Sequence, residues 1–193
     1  MQRFFLAVQL CLALVLAGCA SAPSTTGTSP TPAAASPPAQ RLAPAVALPT
    51  SAKRKLVLVM TGPKAVVDAK DWPDFKREWK DTFAEHARQA GVAFTFSEAD
   101  PRPNGEDGTI VRVNVSDYRF VGVGARIFFG VMTGNAFIES TVKFSSLKDG
   151  TAYGEQQYST SSSAWGGVFA KVTPQQVDSI AANVFKDFAG AKP

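Results

Sequence analysis

Cysteine and histidine are nearly absent from this 193-residue chain, which holds only Cys11, Cys19 and His86. Both cysteines fall in the first nineteen residues, so everything beyond them lacks a thiol for a disulfide, a zinc–thiolate site or a cysteine nucleophile. A single histidine excludes a His-rich metal site and His-Glu-x-x-His peptidase chemistry. A strong charge bias is missing too. The 20 basic and 16 acidic residues give a net +4, or +3 without the N-terminal segment that carries Arg3, too little to argue for nucleic acid. There is no Gly-x-x-x-x-Gly-Lys phosphate loop and no Gly-x-Ser-x-Gly elbow. What is present is a balanced composition, 45% apolar and 19% charged, which fits neither a wholly disordered chain nor a polytopic membrane protein.

The longest apolar run, Phe4 to Ala17, is interrupted only by Gln9 and is too short to span a bilayer comfortably, which takes about 20 residues. With Gln2, Arg3 and the free amine before it, residues 1–18 read as a secretory signal. The run ends Leu16-Ala17-Gly18-Cys19, which resembles the lipobox of bacterial lipoproteins. That resemblance implies cleavage before Cys19 and acylation of Cys19. Two or more chains make a stable anchor, at about 0.8 kcal/mol per buried methylene. Ala20 stands where many enteric lipoproteins carry a retention Asp, which implies the periplasmic leaflet of the outer membrane.

From Ala20 to Ala39 every residue is Ala, Pro, Ser, Thr or Gly, so nothing there buries enough apolar surface to offset ordering entropy. With Cys19, the stretch 19–52 reads as a lipidated tether. Fully extended at about 3.1 Å per residue it reaches on the order of 100 Å.

Residues 53–193 read as one globular domain. Lys55 to Met60 predicts a buried strand closed by Thr61-Gly62-Pro63. A helix follows, with Asp71 as cap, Pro73 in its first turn and Gly91 past its end. Trp72, Phe75, Trp79, Phe83, His86 and Ala90 share one face of it, which makes His86 a semi-buried structural residue. Val92, Phe94 and Phe96 alternate as a second strand. The acidic loop 98–108 fails the EF-hand spacing at Arg102 and Val111 and reads as a solvated turn. Val111, Val113 and Val115 then face one way, opposite Arg112, Asn114 and Ser116. The parity changes before Tyr118 and Phe120, which predicts a β-bulge near Asp117. Strands 137–147 and 151–161 flank the turn Lys148-Asp149-Gly150. Thr173-Pro174-Gln175-Gln176 opens a last helix as a capping box, with the stripe Val177, Ile180, Ala181, Val184, Phe185 and Phe188. The order β-α-β-β-β-β-α predicts an α+β domain, a mainly antiparallel sheet of about five strands carrying two packed helices.

The segment Tyr118 to Phe137 interleaves Gly122, Gly124, Gly130 and Gly134 with aromatics. It is no Rossmann fingerprint, because Ile127 stands at the third glycine and no helix pattern follows. Two readings stand: strands joined by a glycine-kinked turn that completes the core, or an exposed apolar edge docking on a partner, with Gly122, Gly124, Arg126, Phe128, Phe129, Gly130 and Gly134 as the contact. Trp165, Gly166 and Gly167 suit either a buried aromatic or a sugar-stacking platform. Ser145-Ser-Leu-Lys148 matches the Ser-x-x-Lys pattern of penicillin-interacting enzymes, but at a strand end and without companion motifs, so it is read as chance.

The helix ending in Gly91, the Arg119/Gly122/Gly124 motif, and the Lys148-Asp149-Gly150 turn followed by Tyr153-Gly154 make the segment 79–188 similar to bacterial lipoproteins catalogued as domain of unknown function 4410. The resemblance implies an envelope location and no established activity. The expectation is a lipid-anchored periplasmic module, non-enzymatic, without cofactor or metal. It binds or scaffolds an envelope protein or associates with itself, and reaches the membrane through Cys19. The alternative is a small cell-wall or glycan-acting hydrolase using carboxylates such as Asp117 and Glu139, for which facing carboxylates roughly 5–10 Å apart in an open cleft are required.

Overall fold

The computed structural model describes residues 40–41, 46–121, 136–161 and 173–189. By its internal contacts the chain separates into Met1–Thr31 and Pro32–Pro193, and every described residue belongs to the second unit.

The elements are β1 (Gln40–Arg41), β2 (Lys55–Thr61), the short α1 (Lys64–Val67), α2 (Trp72–Ala90), β3 (Ala93–Ser97), β4 (Thr109–Arg119), β5 (Phe137–Ser146), β6 (Ala152–Ser161) and α3 (Thr173–Ala189). This is an α+β fold with one sheet in the order β1-β6-β5-β4-β2-β3. Three of its pairings are antiparallel, while β2 runs parallel to both of its neighbours, β3 and β4. The parallel pair β2/β3 follows from α2, which carries the chain back along the sheet between them. Packing reaches upstream of Lys53, because Val46 and Leu48 join the main core and Gln40–Arg41 pairs with β6.

α2 and α3 cover one face of the sheet. The buried stripe of α2 is Trp72, Phe75, Trp79, Phe83 and Ala87. The expected stripe drifts at its end: four-residue steps keep Ala87 under the sheet, leave Ala90 exposed and put His86 half-buried at the rim. His86 Nε2 lies 2.8 Å from Asp178 Oδ1, and the ring stacks on Phe185 of α3. The helix ends on Gly91 at φ +67°, the left-handed conformation glycine adopts without a Cβ penalty. Asp71 precedes the helix but its side chain caps nothing; it accepts a hydrogen bond from the Tyr118 hydroxyl at 2.6 Å. Burial, and then that bond to the Asp71 carboxylate, push the Tyr118 hydroxyl pKa upward. The α3 stripe is buried from Val177 to Phe188 as expected. Its first turn, however, directs side chains across to the sheet: Thr173 Oγ1 accepts from the Val121 N–H at 2.8 Å, and Gln176 Nε2 donates to the Ala136 carbonyl at 2.9 Å.

The bulge forms where parity predicts it. Val115 pairs with Ser140 and Asp117 with Glu139, leaving Ser116 as the extra residue. That shift rotates Tyr118 onto the helix side, where it stacks on Phe75 at 4.2 Å.

The turn between β5 and β6 has Gly150 at φ +83°. Asp149 accepts from the Thr151 N–H at 3.0 Å. That bond first, and Ser146 second, hold its carboxyl below the usual carboxylate range. A folded-state pKa below the unfolded value of about 3.9 gives stability that is present above that pH and lost as pH falls through the folded pKa. The stability deficit of Asp149→Asn, measured by thermal unfolding, is therefore expected to be full at neutral pH and to shrink toward zero as the pH is lowered below about 4. A deficit that does not change with pH overturns the assignment.

Candidate functional site: the open face of the sheet

Alternation sets the second face of the sheet. With Val111 and Val113 packed under the helices, the neighbours Ile110, Arg112 and Asn114 face the other way. Because β3 and β4 both run parallel to β2, the chain must return the full length of β2 between them. Residues 98–108 make that return across the open face. Arg112 straps them down: its Nε donates to Asp100 Oδ1 at 2.6 Å, Nη2 to the Pro101 carbonyl at 3.0 Å and Nη1 to Ser145 Oγ at 2.7 Å. The backbone N–H groups of Asn104 and Gly105 donate to the carbonyls of Leu147 and Lys148. On this side a second, small core of Val57, Val59, Ile110 and Leu147 is buried.

The four acidic side chains of that strap, read from sequence as a solvated turn, each face a cation. Asp100 meets Arg112, Glu98 meets Lys76, Glu106 meets Lys55 at 2.6 Å, and Asp107 lies 3.9 Å from Lys148. The Lys55 ammonium holds the Glu106 carboxyl below its ordinary range. Among the described residues no group of three or more His, Cys, Asp or Glu is placed to hold a metal ion.

Beyond the strap the face over β4, β5 and β6 is open and polar. A depression of about 460 Å³ is lined by Thr61, Arg112, Asn114, Thr141, Lys143, Glu155 and Gln157. It shares Arg112, Lys143 and Glu155 with a second of about 350 Å³, and Thr141 and Gln157 with a third of about 250 Å³ that adds Ser116 and Glu139. Together they form one shallow trough across β4, β5 and β6, reaching the end of β2 at Thr61. Within it Lys143 lies 3.9 Å from Glu155 across the strand pair, and Asn114 Nδ2 donates to Thr61 Oγ1 at 3.2 Å. Such a trough offers hydroxyls, amides and neutralised charge pairs to a ligand that also faces water. It does not enclose one.

The carboxylates of the hydrolase alternative come together here. Asp117 and Glu139 are register partners on adjacent antiparallel strands. Asp117 is exposed and accepts from the Tyr118 N–H at 2.8 Å, whereas Glu139 is half-buried and accepts from Ser159 Oγ at 2.7 Å. Of the sequence-derived contact, Gly122, Gly124, Arg126, Phe128, Phe129, Gly130 and Gly134 lie outside the described residues, as do Cys19, Trp165, Gly166 and Gly167. The residues flanking the glycine-aromatic segment are described: Val121 and Ala136 are buried, and the first turn of α3 bonds to both. Sequence reasoning did not single out Arg112, Thr141, Lys143, Glu155 and Gln157 as a surface. Their signal was the polar half of the alternation in β4 and the Gln, Ser and Thr content of β6.

No protein-family description matches the sequence, and no curated protein does. Among solved structures the chain is similar to the PelC dodecamer from Paraburkholderia phytofirmans in two crystal forms. A point variant in space group C2 superimposes with a TM-score of 0.45 at 13% identity, covering 80% of this chain and 98% of that one. The space group P6 form gives 0.46 at 12% identity over the same shares.

Proposed function

We propose that the chain is a lipid-anchored, non-enzymatic binding or scaffolding module of the bacterial envelope, held at the periplasmic face of the outer membrane through Cys19. The observation that carries this reading is the order of its parts: a short apolar run ending Leu16-Ala17-Gly18-Cys19, an uncharged tether without aromatics from Ala20 to Ala39, then a folded unit with its own core. No helix among the described residues is long and apolar enough to cross a membrane, and an acylated Cys19 would supply an attachment that needs none. The resemblance of segment 79–188 to the lipoproteins of domain of unknown function 4410 would imply the same location. The open trough supports binding rather than turnover, since Arg112 and Lys143 each have an acidic partner and the surface excludes no water.

Cys19→Ser is expected to abolish incorporation of labelled palmitate and, because the lipobox reading has cleavage follow acylation, to leave a longer, uncleaved chain. A serine variant that labels and migrates like the parent sinks the anchor. One observation favours the hydrolase instead, the cross-strand apposition of Asp117 and Glu139. Glycan hydrolysis by the parent that disappears in both Asp117→Asn and Glu139→Gln replaces the binding reading.

A further inference from the structure

The strand β3 is an edge. Among the described residues it pairs only with β2, and its polarity is set by one bond: the Ala93 N–H donates to the Arg54 carbonyl at 3.0 Å. Backbone groups alternate sides along a strand, so Ala93, Thr95 and Ser97 turn their N–H and C=O toward β2, while Phe94 and Phe96 turn theirs outward. An edge of this kind is normally blunted by charge, proline or a bulge. Ala93-Phe94-Thr95-Phe96-Ser97 contains no charge and no proline, and its register with β2 runs without a shift. The nearest acidic residue, Glu98, is paired with Lys76. Phe94 and Phe96 pack on the main core yet remain only half-buried, and Thr95 is exposed on the other face.

We propose that β3 is the surface through which two copies of this chain pair, antiparallel, about a two-fold axis at Thr95. The strand is its own complement in that arrangement. Phe94 of each copy faces Phe96 of the other, and these are the residues whose backbone groups point outward, so two hydrogen-bonded pairs form with four new bonds. The same register sets two Phe–Phe cross-strand pairs on the helix side, covering the ring surface each copy leaves open. No like charges meet within the strand. A two-fold contact closes on itself, which keeps the edge from templating a fibre. The inference names the self-association surface of the module proposed above, and rests on that reading for its strength: tethering to one membrane raises the local concentration of a contact only five residues long.

The register makes a specific test. Thr95 opposes its own copy as a non-hydrogen-bonded pair, with Cα atoms about 4.5 Å apart, within disulfide range. Two copies of Ala93, or of Ser97, stand roughly 13 Å apart along the strands. Cells producing the full chain with single cysteines are fractionated, the membranes oxidised mildly, and dimer read on a non-reducing gel. Thr95→Cys is expected to give roughly tenfold more dimer than Ala93→Cys or Ser97→Cys alone, and the last two produced together are expected to restore it. Equal yields from all three, or no dimer from Thr95→Cys, overturn the pairing. The parent chain reports on the anchor separately, since an acylated Cys19 cannot cross-link. Dimer that persists in the parent carrying Cys11→Ser therefore overturns acylation, and the edge is then read in the Cys11→Ser/Cys19→Ser background. Sedimentation of the detergent-solubilised chain gives a reading without engineered thiols. Thr95→Lys, which sets two ammonium groups on the axis, is expected to weaken the dimer roughly tenfold; a monomeric parent, or a dimer indifferent to this change, overturns the proposal.

Discussion

Phe75→Ala is expected to remove about 3–5 kcal/mol of folding stability. Phe75 is fully buried in α2 and touches four other rings, with centroids at 5.8 Å to Trp72, 6.0 Å to Trp79, 4.2 Å to Tyr118 and 6.3 Å to Phe120. Its loss leaves a cavity under the point where β4, rotated by the bulge, lays Tyr118 and Phe120 against the helix. Rigid rings around that cavity collapse poorly, so the cost belongs at the upper end of the range. Whole domains hold only about 5–15 kcal/mol, so the variant stands near the edge of folding. Urea unfolding of the parent, Phe75→Leu and Phe75→Ala checks it. Midpoints should fall in that order with a constant slope, and a small shift for alanine would mean the ring cluster is not the core of this face.

Gly62→Ala is the second large effect, expected to cost about 1–3 kcal/mol through overpacking rather than a void. A Cβ at Gly62 would sit 2.7 Å from the Val115 carbonyl oxygen and 2.9 Å from Val66 Cγ1. The first contact is with backbone, at the residue that precedes the extra residue of the bulge, so relief requires moving β4 itself. Gly108→Ala makes a graded companion, since its nearest contacts begin at 3.0 Å on Lys55. Thermal unfolding should rank Gly62→Ala below Gly108→Ala. The reverse order would show that β2 and β4 are free to separate at the end where α1 begins.

Much of the local structure was legible because it depends on local chemistry. The alternation of Val111, Val113 and Val115, broken before Tyr118, located a bulge that the register confirms at Ser116. Proline at 73 and glycine at 91 bounded α2 to within a residue, and Asp149-Gly150 marked the hairpin. Where side chains choose between local and distant partners, the reading went astray. Asp71 bonds Tyr118 rather than its own helix, and Thr173 and Gln176 reach Val121 and Ala136. Both outcomes depend on which element lies beside the helix terminus.

The open trough was half legible. Sequence put Arg112, Asn114 and Ser116 on one face of a strand but could not say that Lys143, Glu155 and Gln157 would stand beside them, since strand neighbours are set by topology. The same limit hid the return of residues 98–108, which exists only because β2 lies between two strands parallel to it.

By itself, then, the sequence determined the class of fold, the order of its longer elements, the buried stripe of α3, most of that of α2 and the bulge, because hydrophobic period, turn residues and parity act over a few residues. Only the tertiary structure decided that β2 sits between β3 and β4, that one half of the second face is strapped and the other open, and that β3 ends the sheet with Phe94 and Phe96 directing their hydrogen-bonding groups outward. Those outcomes follow from contacts between residues far apart in the chain, and no local pattern encodes which strand a strand will meet.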